Sequence, residues 1–201
     1  MKSKNVFAAN SLSNGFSLLE MITAVAIIAV IAAISINSSD HSLNRSQSNS
    51  VALELVAWLQ KIHNTGQAGA FCTVQFNPDQ AAGDNAISVD FRSGDRVFTV
   101  QPAACSADPN FRLPDSVGGK TVAIWASPFL QFTQRGNVIQ VNNAGAQLAG
   151  NDIRILPNAQ DGPGLLRCVR TSDSIALFRI GSNNNAATVE DGCADTSFDR
   201  F

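Results

Sequence analysis

The sequence lacks the short motifs that mark common enzymes, and it has little positive charge. It contains no HExxH, no glycine-rich phosphate loop and no GxSxG, so nothing in it predicts a catalytic residue, a cofactor or a small-molecule substrate. Lysine is scarce and the formal net charge is −2, whereas a protein that coats nucleic acid needs a broadly basic surface. These absences favour a structural or interaction protein over an enzyme.

Paired metal-binding cysteines are also missing. Cys72, Cys105, Cys168 and Cys193 form no CxxC pair, and the two histidines are distant from them in sequence, so no metal site is expected. An even count of cysteines in an exported domain favours two disulfides. Three connectivities stay open, and buried free thiols are the alternative. We favour Cys72–Cys105 and Cys168–Cys193, because each of these pairs closes a local loop.

One long apolar run is present near the N-terminus. Residues 16–36 contain a single charged side chain, Glu20. As a helix this run would be about 31 Å long, enough to cross a hydrocarbon core of about 30 Å. Lys2 and Lys4 precede it, and a basic flank stays cytoplasmic, so the rest of the chain is expected on the outer side. A secretory signal cleaved near Ala33 is the alternative.

The carboxylate of Glu20 has an unfavourable insertion free energy in such an apolar run. An unpaired carboxylate at the centre of a membrane helix costs roughly 2.5–3.5 kcal/mol on insertion scales, so it normally has a partner. A side chain that extends to the cytoplasmic interface is the simpler alternative.

Helical spacing resumes after a polar stretch. The apolar residues then recur at intervals of three or four, as in an amphipathic helix; they are Val51, Leu55, Trp58, Leu59 and Ile62. Residues 64–66 supply a stop signal. We predict one long helix, apolar all round in residues 16–36 and amphipathic in residues 37–65. The stripe at Trp58 is expected to pack in a core, and His63 is expected to cap the helix or lie at the surface.

Residues 66–201 have the texture of a β-rich domain. Short runs of β-branched and aromatic residues alternate with turn formers, and no helical periodicity is evident. The strand candidates are 70–76, 86–91, 96–101, 121–126, 130–132, 138–141, 152–156, 165–170 and 174–180. The pattern predicts an α+β fold, in which an antiparallel sheet or two small sheets pack on the amphipathic half of the helix.

The segment around Gly15 resembles a processing signal. Residues 15–20 read Gly-Phe-Ser-Leu-Leu-Glu directly before the apolar run, which is similar to type IV pilins and type II secretion pseudopilins. The resemblance implies that prepilin peptidase removes residues 1–15 as a leader by cutting after Gly15. It also implies that the new N-terminal residue, Phe16, is methylated, and that Glu20 meets the amine of a neighbouring subunit during assembly.

The same resemblance implies a fold, a location and partners. The fold would be the pilin fold, in which a long N-terminal helix packs on an antiparallel sheet. The chain would cross the bacterial inner membrane once, with a periplasmic C-terminal domain, and then enter a pilus or pseudopilus. Its partners would be prepilin peptidase, other pilins or pseudopilins, and an inner-membrane assembly platform. An unrelated single-pass anchored protein is the alternative.

Two later stretches are similar to the minor pilins and pseudopilins called GspH or FimT-like. Residues 130–136 resemble a hairpin of that subgroup, and residues 165–170 and 174–181 resemble its closing hairpin. The usual Gly-Arg turn is absent, because residues 171–174 read Thr-Ser-Asp-Ser. Some FimT-like proteins bind DNA through arginines of this hairpin, which makes Arg167, Arg170 and Arg179 candidates. Solvated or paired surface arginines are the favoured alternative.

Overall fold

The computed structural model describes residues 17–77, 79, 85–148, 152–157, 164–171, 178–194 and 197–198. For residues 33–42 only the backbone is described. Gly15 and Phe16 therefore lie outside the described residues. The chain divides into two compact units, Met1–His41 and Ser42–Phe201.

The described residues form one α-helix, α1, which spans Leu18–Gln67. It begins after Ser17, whose carbonyl oxygen accepts hydrogen bonds from the backbone N–H groups of Glu20 at 2.9 Å and Met21 at 3.2 Å. It ends one residue beyond the predicted stop at residues 64–66. The predicted N-terminal helix is therefore present.

Within the second unit, α1 packs on the β domain through the predicted stripe. All five stripe residues are buried; they are Val51, Leu55, Trp58, Leu59 and Ile62. Trp58 stacks on Phe98 with ring centroids 6.3 Å apart, and its indole N–H donates to the carbonyl oxygen of Asp108 at 3.0 Å. Helical spacing thus correctly predicted both the helix and its buried face.

Ten strands are described in the second unit, and they form two antiparallel sheets. The first sheet has the order β4-β3-β1-β6-β7 and the second has the order β10-β9-β8-β5-β2. Their bounds are β1 Cys72–Phe76, β2 Ile87–Phe91, β3 Arg96–Gln101, β4 Asn110–Arg112, β5 Val122–Ala126, β6 Phe129–Phe132, β7 Val138–Val141, β8 Asp152–Pro157, β9 Gly164–Thr171 and β10 Phe178–Ala186. The prediction of an α+β fold is confirmed, and of the two predicted arrangements, one antiparallel sheet or two small sheets, the structure has two sheets.

Strand β4 and the end of β10 were not predicted. Strand β4 has three residues with one apolar side chain, Phe111, too few for an alternating pattern to show. The predicted final strand stops at residue 180, but β10 continues through Ser182 and three asparagines to Ala186. Asparagine is a poor strand former, so pairing with β9 overrides local preference here. The β9–β10 register shifts between Asn183 and Ala186.

Two apolar clusters lie on opposite faces of the second sheet. The main core joins α1 to both sheets and includes Ile155 of β8 and Val169 of β9. The adjacent residues, Leu156 and Cys168, belong to a second cluster that also holds Phe198. Because successive strand residues point to opposite faces, β8 and β9 contribute to both clusters. The C-terminal tail covers the face of the second sheet that lies away from the main core.

The expectation of two disulfides is confirmed, and the pairs are the sequential ones. Cys72 bonds to Cys105, and Cys168 bonds to Cys193. The first bond links β1 to the short 3₁₀ turn Ala103–Cys105. The second ties the tail to β9. The described cysteines include no free thiol.

A capping box orders the tail just before Cys193. The carboxylate of Asp191 accepts hydrogen bonds from the backbone N–H groups of Thr188 at 2.8 Å and Ala187 at 2.6 Å. These two bonds, led by the one from Thr188, hold the pKa of the Asp191 carboxyl below its usual range.

The prediction for His63 is wrong. Its side chain is buried, and its Nε2 lies 3.2 Å from the carbonyl oxygen of Gly136. Gly136 has a φ of +81° in the turn between β6 and β7, and a Cβ there would lie 2.9 Å from Gln67 Nε2. The close approach of this turn to the end of α1 buries the imidazole, which helical spacing alone does not reveal.

We expect the double variant Cys168→Ser/Cys193→Ser to lose about 3 kcal/mol of unfolding free energy. The bond closes a loop between residues separated by 25 positions, and loops of this size constrain the unfolded chain by about 2–4 kcal/mol. Urea denaturation of the oxidised protein measures the change. An unchanged midpoint would show that the tail is held by its packing alone.

Candidate assembly site

The predicted N-terminal site is described from Ser17 onward. Glu20 lies in the first turn of α1 and its side chain is exposed. A carboxylate at a helix N-terminus is stabilised by the helix dipole. No ion pair to Glu20 occurs among the residues that the structure describes.

The first part of α1 has an apolar surface on every side. Each side chain from Ser17 to Ala32 is exposed, although most of them are hydrophobic. The large ones are Leu18, Leu19, Met21, Ile22, Val25, Ile27, Ile28, Val30 and Ile31. A helix that is apolar all round is normally buried by other molecules or by lipid. Within the described residues, no helix meets the combined length and apolarity required for a membrane span.

The three candidate arginines of the closing hairpin are divided between two faces of the second sheet. Arg167 is 5% exposed, and its Nε donates to Asn49 Oδ1 of α1. Arg170 and Arg179 are directly opposite each other in the β9–β10 ladder, so they share the other face. The structure therefore brings Arg170 and Arg179 together but not Arg167. Residues 172–177, which include the predicted turn, lie outside the described residues.

Arg170 is held by protein groups. Its guanidinium donates from Nε at 2.5 Å and from Nη2 at 3.0 Å to the two carboxylate oxygens of Asp152. Its Cζ also lies 4.1 Å from the centre of the Phe198 ring. Asp152 is buried, and a buried carboxylate depends on such a partner. The arrangement links β8 to β9 and fastens the tail to the second sheet.

A pocket near the hairpin was not predicted. It has a volume of about 340 Å³ and is lined by Arg45 and Asn49 of α1, Arg167 of β9, Ile180, Gly181 and Ser182 of β10, and Ser197 of the tail. Arg45 and Asn49 are four residues apart on α1, which places them on one helix face. The spacing of Arg45 and Asn49 is a weak indication of the pocket in the sequence. The contribution of Arg167 is not evident there, because its strand lies 118 residues beyond Asn49.

We expect Arg170→Gln to lower the unfolding free energy by about 1–3 kcal/mol, because it leaves the buried Asp152 carboxylate without its charged partner. Arg179→Gln is the matched control, since it removes a like charge opposite Arg170 and leaves the pair intact. Chemical denaturation at neutral pH measures both. Equal losses in the two variants would contradict a specific role for the Asp152–Arg170 pair.

Comparison with known proteins identifies the N-terminal segment. Residues 10–36 match the family described as the prokaryotic N-terminal methylation motif, and this match includes Gly15, Phe16 and Glu20. No curated protein and no solved structure matches the chain. The motif implies cleavage by prepilin peptidase and assembly with other pilins. It therefore indicates a type IV pilin-like protein that prepilin peptidase processes.

Proposed function

We propose that the chain is a minor pilin or pseudopilin of the GspH or FimT type, a structural subunit without enzymatic activity. Residues 16–36 hold it in the bacterial inner membrane with the β domain in the periplasm. After cleavage it enters a type IV pilus or a type II secretion pseudopilus. The observation that carries this proposal is Glu20 in the first turn of a helix whose following surface is apolar on all sides.

The apolar surface of α1 supplies the driving force for burial. Nine large hydrophobic side chains between Leu18 and Ile31 are each more than half exposed. Burying one such side chain fully is worth roughly 1.5–3 kcal/mol. The summed free energy of burying all nine side chains far exceeds the roughly 2.5–3.5 kcal/mol that one unpaired carboxylate costs in a bilayer. The helix can therefore enter an apolar environment, while Glu20 still favours arrangements in which it has a partner.

Cleavage creates that partner. Cutting after Gly15 gives Phe16 a positively charged amine, which lies four residues before Glu20. In an assembled stack, the Glu20 carboxylate of one subunit pairs with the amine of another. The pair neutralises both charges in a low-dielectric environment and fixes how far one helix is shifted along the next. Glu20 thus sets assembly register, and the apolar residues around it supply most of the free energy.

The β domain supports the subgroup through its hairpins. Strands β6 and β7 form a hairpin at the predicted position, and β9 pairs with β10 as the closing hairpin. DNA uptake has weaker support as a role, because Arg167 is buried against α1 and Arg170 is held by Asp152.

We expect the mature protein to begin with N-methylated Phe16, because the peptidase cuts after Gly15 and methylates the new terminus. Mass spectrometry of the N-terminal peptide from cells checks this. Gly15→Val should leave the full-length chain uncut, since a branched side chain prevents the close backbone approach that glycine permits. An intact Met1 in the wild-type protein, or cleavage near Ala33, would refute the proposal.

We expect Glu20→Ala to be cleaved and methylated normally but to be incorporated into filaments at less than a tenth of the wild-type level. The variant loses a charge pair worth about 1.4 kcal/mol or more in a low-dielectric environment, which corresponds to a factor of about ten or more. Quantitative blotting of sheared filaments measures incorporation. Glu54→Ala is the matched control, because Glu54 is also an exposed glutamate of α1 but lies in the second unit. Wild-type incorporation of Glu20→Ala would contradict the pairing.

A further inference from the structure

We infer that a groove between α1 and strand β4 binds an extended segment of a different pilin subunit, which adds to β4 as a further strand. The inference rests on the proposed function. We call this feature the edge groove. It consists of two adjoining cavities of about 390 and 370 Å³, which share Trp58, Lys61 and Asp108 in their linings. Both of its walls lie within residues 43–77 and 85–148 of the second unit, which the structure describes without a gap.

One wall of the edge groove is the outer edge of the first sheet. Strand β4 is the outermost strand in the order β4-β3-β1-β6-β7. All three of its residues, Asn110, Phe111 and Arg112, line the larger cavity. None of the described strands pairs with β4 on the side away from β3. Such an edge offers backbone N–H and C=O groups to a strand of another chain.

The hydrogen bonds to β3 show which backbone groups of β4 face the groove. The N–H of Leu113 donates at 2.9 Å to a carbonyl oxygen just before β3, and the carbonyl oxygen of Pro109 accepts at 2.8 Å from an N–H of β3. Successive residues of an antiparallel strand alternate between its two edges, so the backbone groups of Asn110 and Arg112 point away from β3. The N–H of Asn110 donates to the carboxylate of Asp108 at 3.3 Å. The carbonyl of Asn110 and both backbone groups of Arg112 remain for an incoming strand.

The floor of the groove is aromatic and held in place. The rings of Trp58 and Phe111 have centroids 5.8 Å apart, and both side chains are buried. The indole N–H of Trp58 donates to the carbonyl oxygen of Asp108 at 3.0 Å, which joins α1 to the opposite wall. The hydroxyl of Thr99 in β3 donates to Asn110 Oδ1 at 2.9 Å, which holds β4. The site is therefore organised before a partner arrives.

The wall formed by α1 carries charges of both signs. Glu54 and Lys61 line the groove, are exposed, and are seven residues apart, which is two helical turns or about 10 Å. Trp58 lies between them. Within the described residues neither Glu54 nor Lys61 forms an ion pair. A wall of mixed charge does not suit a phosphate polymer or an anionic lipid surface, since these require a cluster of positive charge.

The two walls run in opposite directions. Glu54 and Arg112 line the first cavity, whereas Thr65 and Ser106 line the second. Residue numbers therefore rise along α1 in the direction in which they fall along the opposite wall. A segment that pairs antiparallel with β4, as the strands of this sheet pair with one another, runs in the same direction as α1. Its N-terminal end lies near Glu54.

These features specify the side chains of the partner segment. Every second side chain of an added strand faces α1. A segment with a basic, an apolar and an acidic residue at positions i, i+2 and i+4 spans about 14 Å, so it places the basic residue near Glu54, the apolar one on Trp58 and the acidic one near Lys61. No stretch of this chain has such residues at this spacing in either order. Since the protein assembles with other pilins, we assign the segment to a different subunit.

The test uses the full chain in micelles of a zwitterionic detergent and the acetylated heptapeptide amide Ser-Lys-Thr-Val-Ser-Glu-Thr. We expect saturable NMR shifts of the Arg112 amide and of the Trp58 indole N–H. The same peptide with N-methyl groups on its third and fifth residues keeps every side chain but loses the two N–H groups that would donate to β4, and we expect no saturable shift with it. No binding of the first peptide, or equal binding of both, would overturn the inference.

A pair of substitutions at one position tests the backbone edge. Arg112→Pro removes the outward N–H of β4 at a sheet edge, where proline is tolerated, and we expect it to weaken peptide binding about three- to tenfold, the loss of one hydrogen bond. Arg112→Ala is the matched control, because it keeps the N–H and removes only the guanidinium. Equal weakening in the two variants would overturn the inference. The N-methylated peptide tests the same bonds on the unaltered protein.

The charge on α1 is tested separately. We expect Lys61→Gln to weaken binding of the heptapeptide about tenfold, through loss of the charge-assisted contact with the peptide glutamate. Arg45→Gln is the matched control, since Arg45 is an exposed cation of α1 outside the edge groove. A peptide with its lysine and glutamate exchanged should bind more weakly to the wild-type protein. Unchanged binding in Lys61→Gln, or equal binding of the exchanged peptide, would overturn the assignment of the partner segment.

A cross-linking experiment identifies the partner in cells. A photoreactive amino acid at Ala57, which is exposed and lines the groove, should link the protein to such a segment of a different pilin subunit. Arg112→Pro should abolish this product and Arg112→Ala should not. A product that joins two copies of this chain, or one that persists in Arg112→Pro, would overturn the inference. The peptide titration does not require filaments, so its result stands apart from the analysis of the Phe16 terminus that tests the proposed function.

Discussion

The β domain depends on one side of one helix. Leu55, Leu59 and Ile62 are fully buried in the cluster that also receives side chains from both sheets. The apolar face of a sheet must be covered by another element, and here α1 packs in one core with side chains from both sheets. Removing water from three such side chains is worth roughly 5–9 kcal/mol, comparable with the net stability of an ordinary domain.

The same helix has two different apolar patterns, and each satisfies a different requirement. Between Val51 and Ile62 the apolar residues form one stripe, which the protein's own sheets bury. Between Leu18 and Ile31 they surround the helix and are exposed. The first pattern stabilises the folded β domain. The second is normally buried by lipid or by other protein molecules. Glu20 lies in the first turn of α1, at the start of the second pattern. Its charge favours those packing arrangements in which the carboxylate has a partner.

Patterns local in sequence predicted much of this structure, while contacts between distant segments were missed. The stripe of α1 and strands such as Val138–Val141 follow from periodicity, since their neighbours in space are set by helical or strand geometry. His63 was misplaced because a turn at Gly136 buries it. The predicted final strand was too short because asparagines disfavour strands. The pocket between α1 and the β9–β10 hairpin was missed because β9 and α1 meet only in the folded chain. The environment of a residue whose contacts are distant in sequence cannot be predicted from the residues next to it.

The register shift in β10 has a consequence for crowded subunits. Strand β10 is an edge of the second sheet, and the tail covers it through a β-bridge between Phe198 and Gly181. An edge that is left open invites a strand of another chain to pair with it. The irregularity between Asn183 and Ala186 interrupts the regular row of backbone donors and acceptors at this edge. Neighbouring subunits can thus contact this edge through side chains without pairing their own strands with it. The edge is protected against the kind of strand addition that turns an ordered assembly into an aggregate.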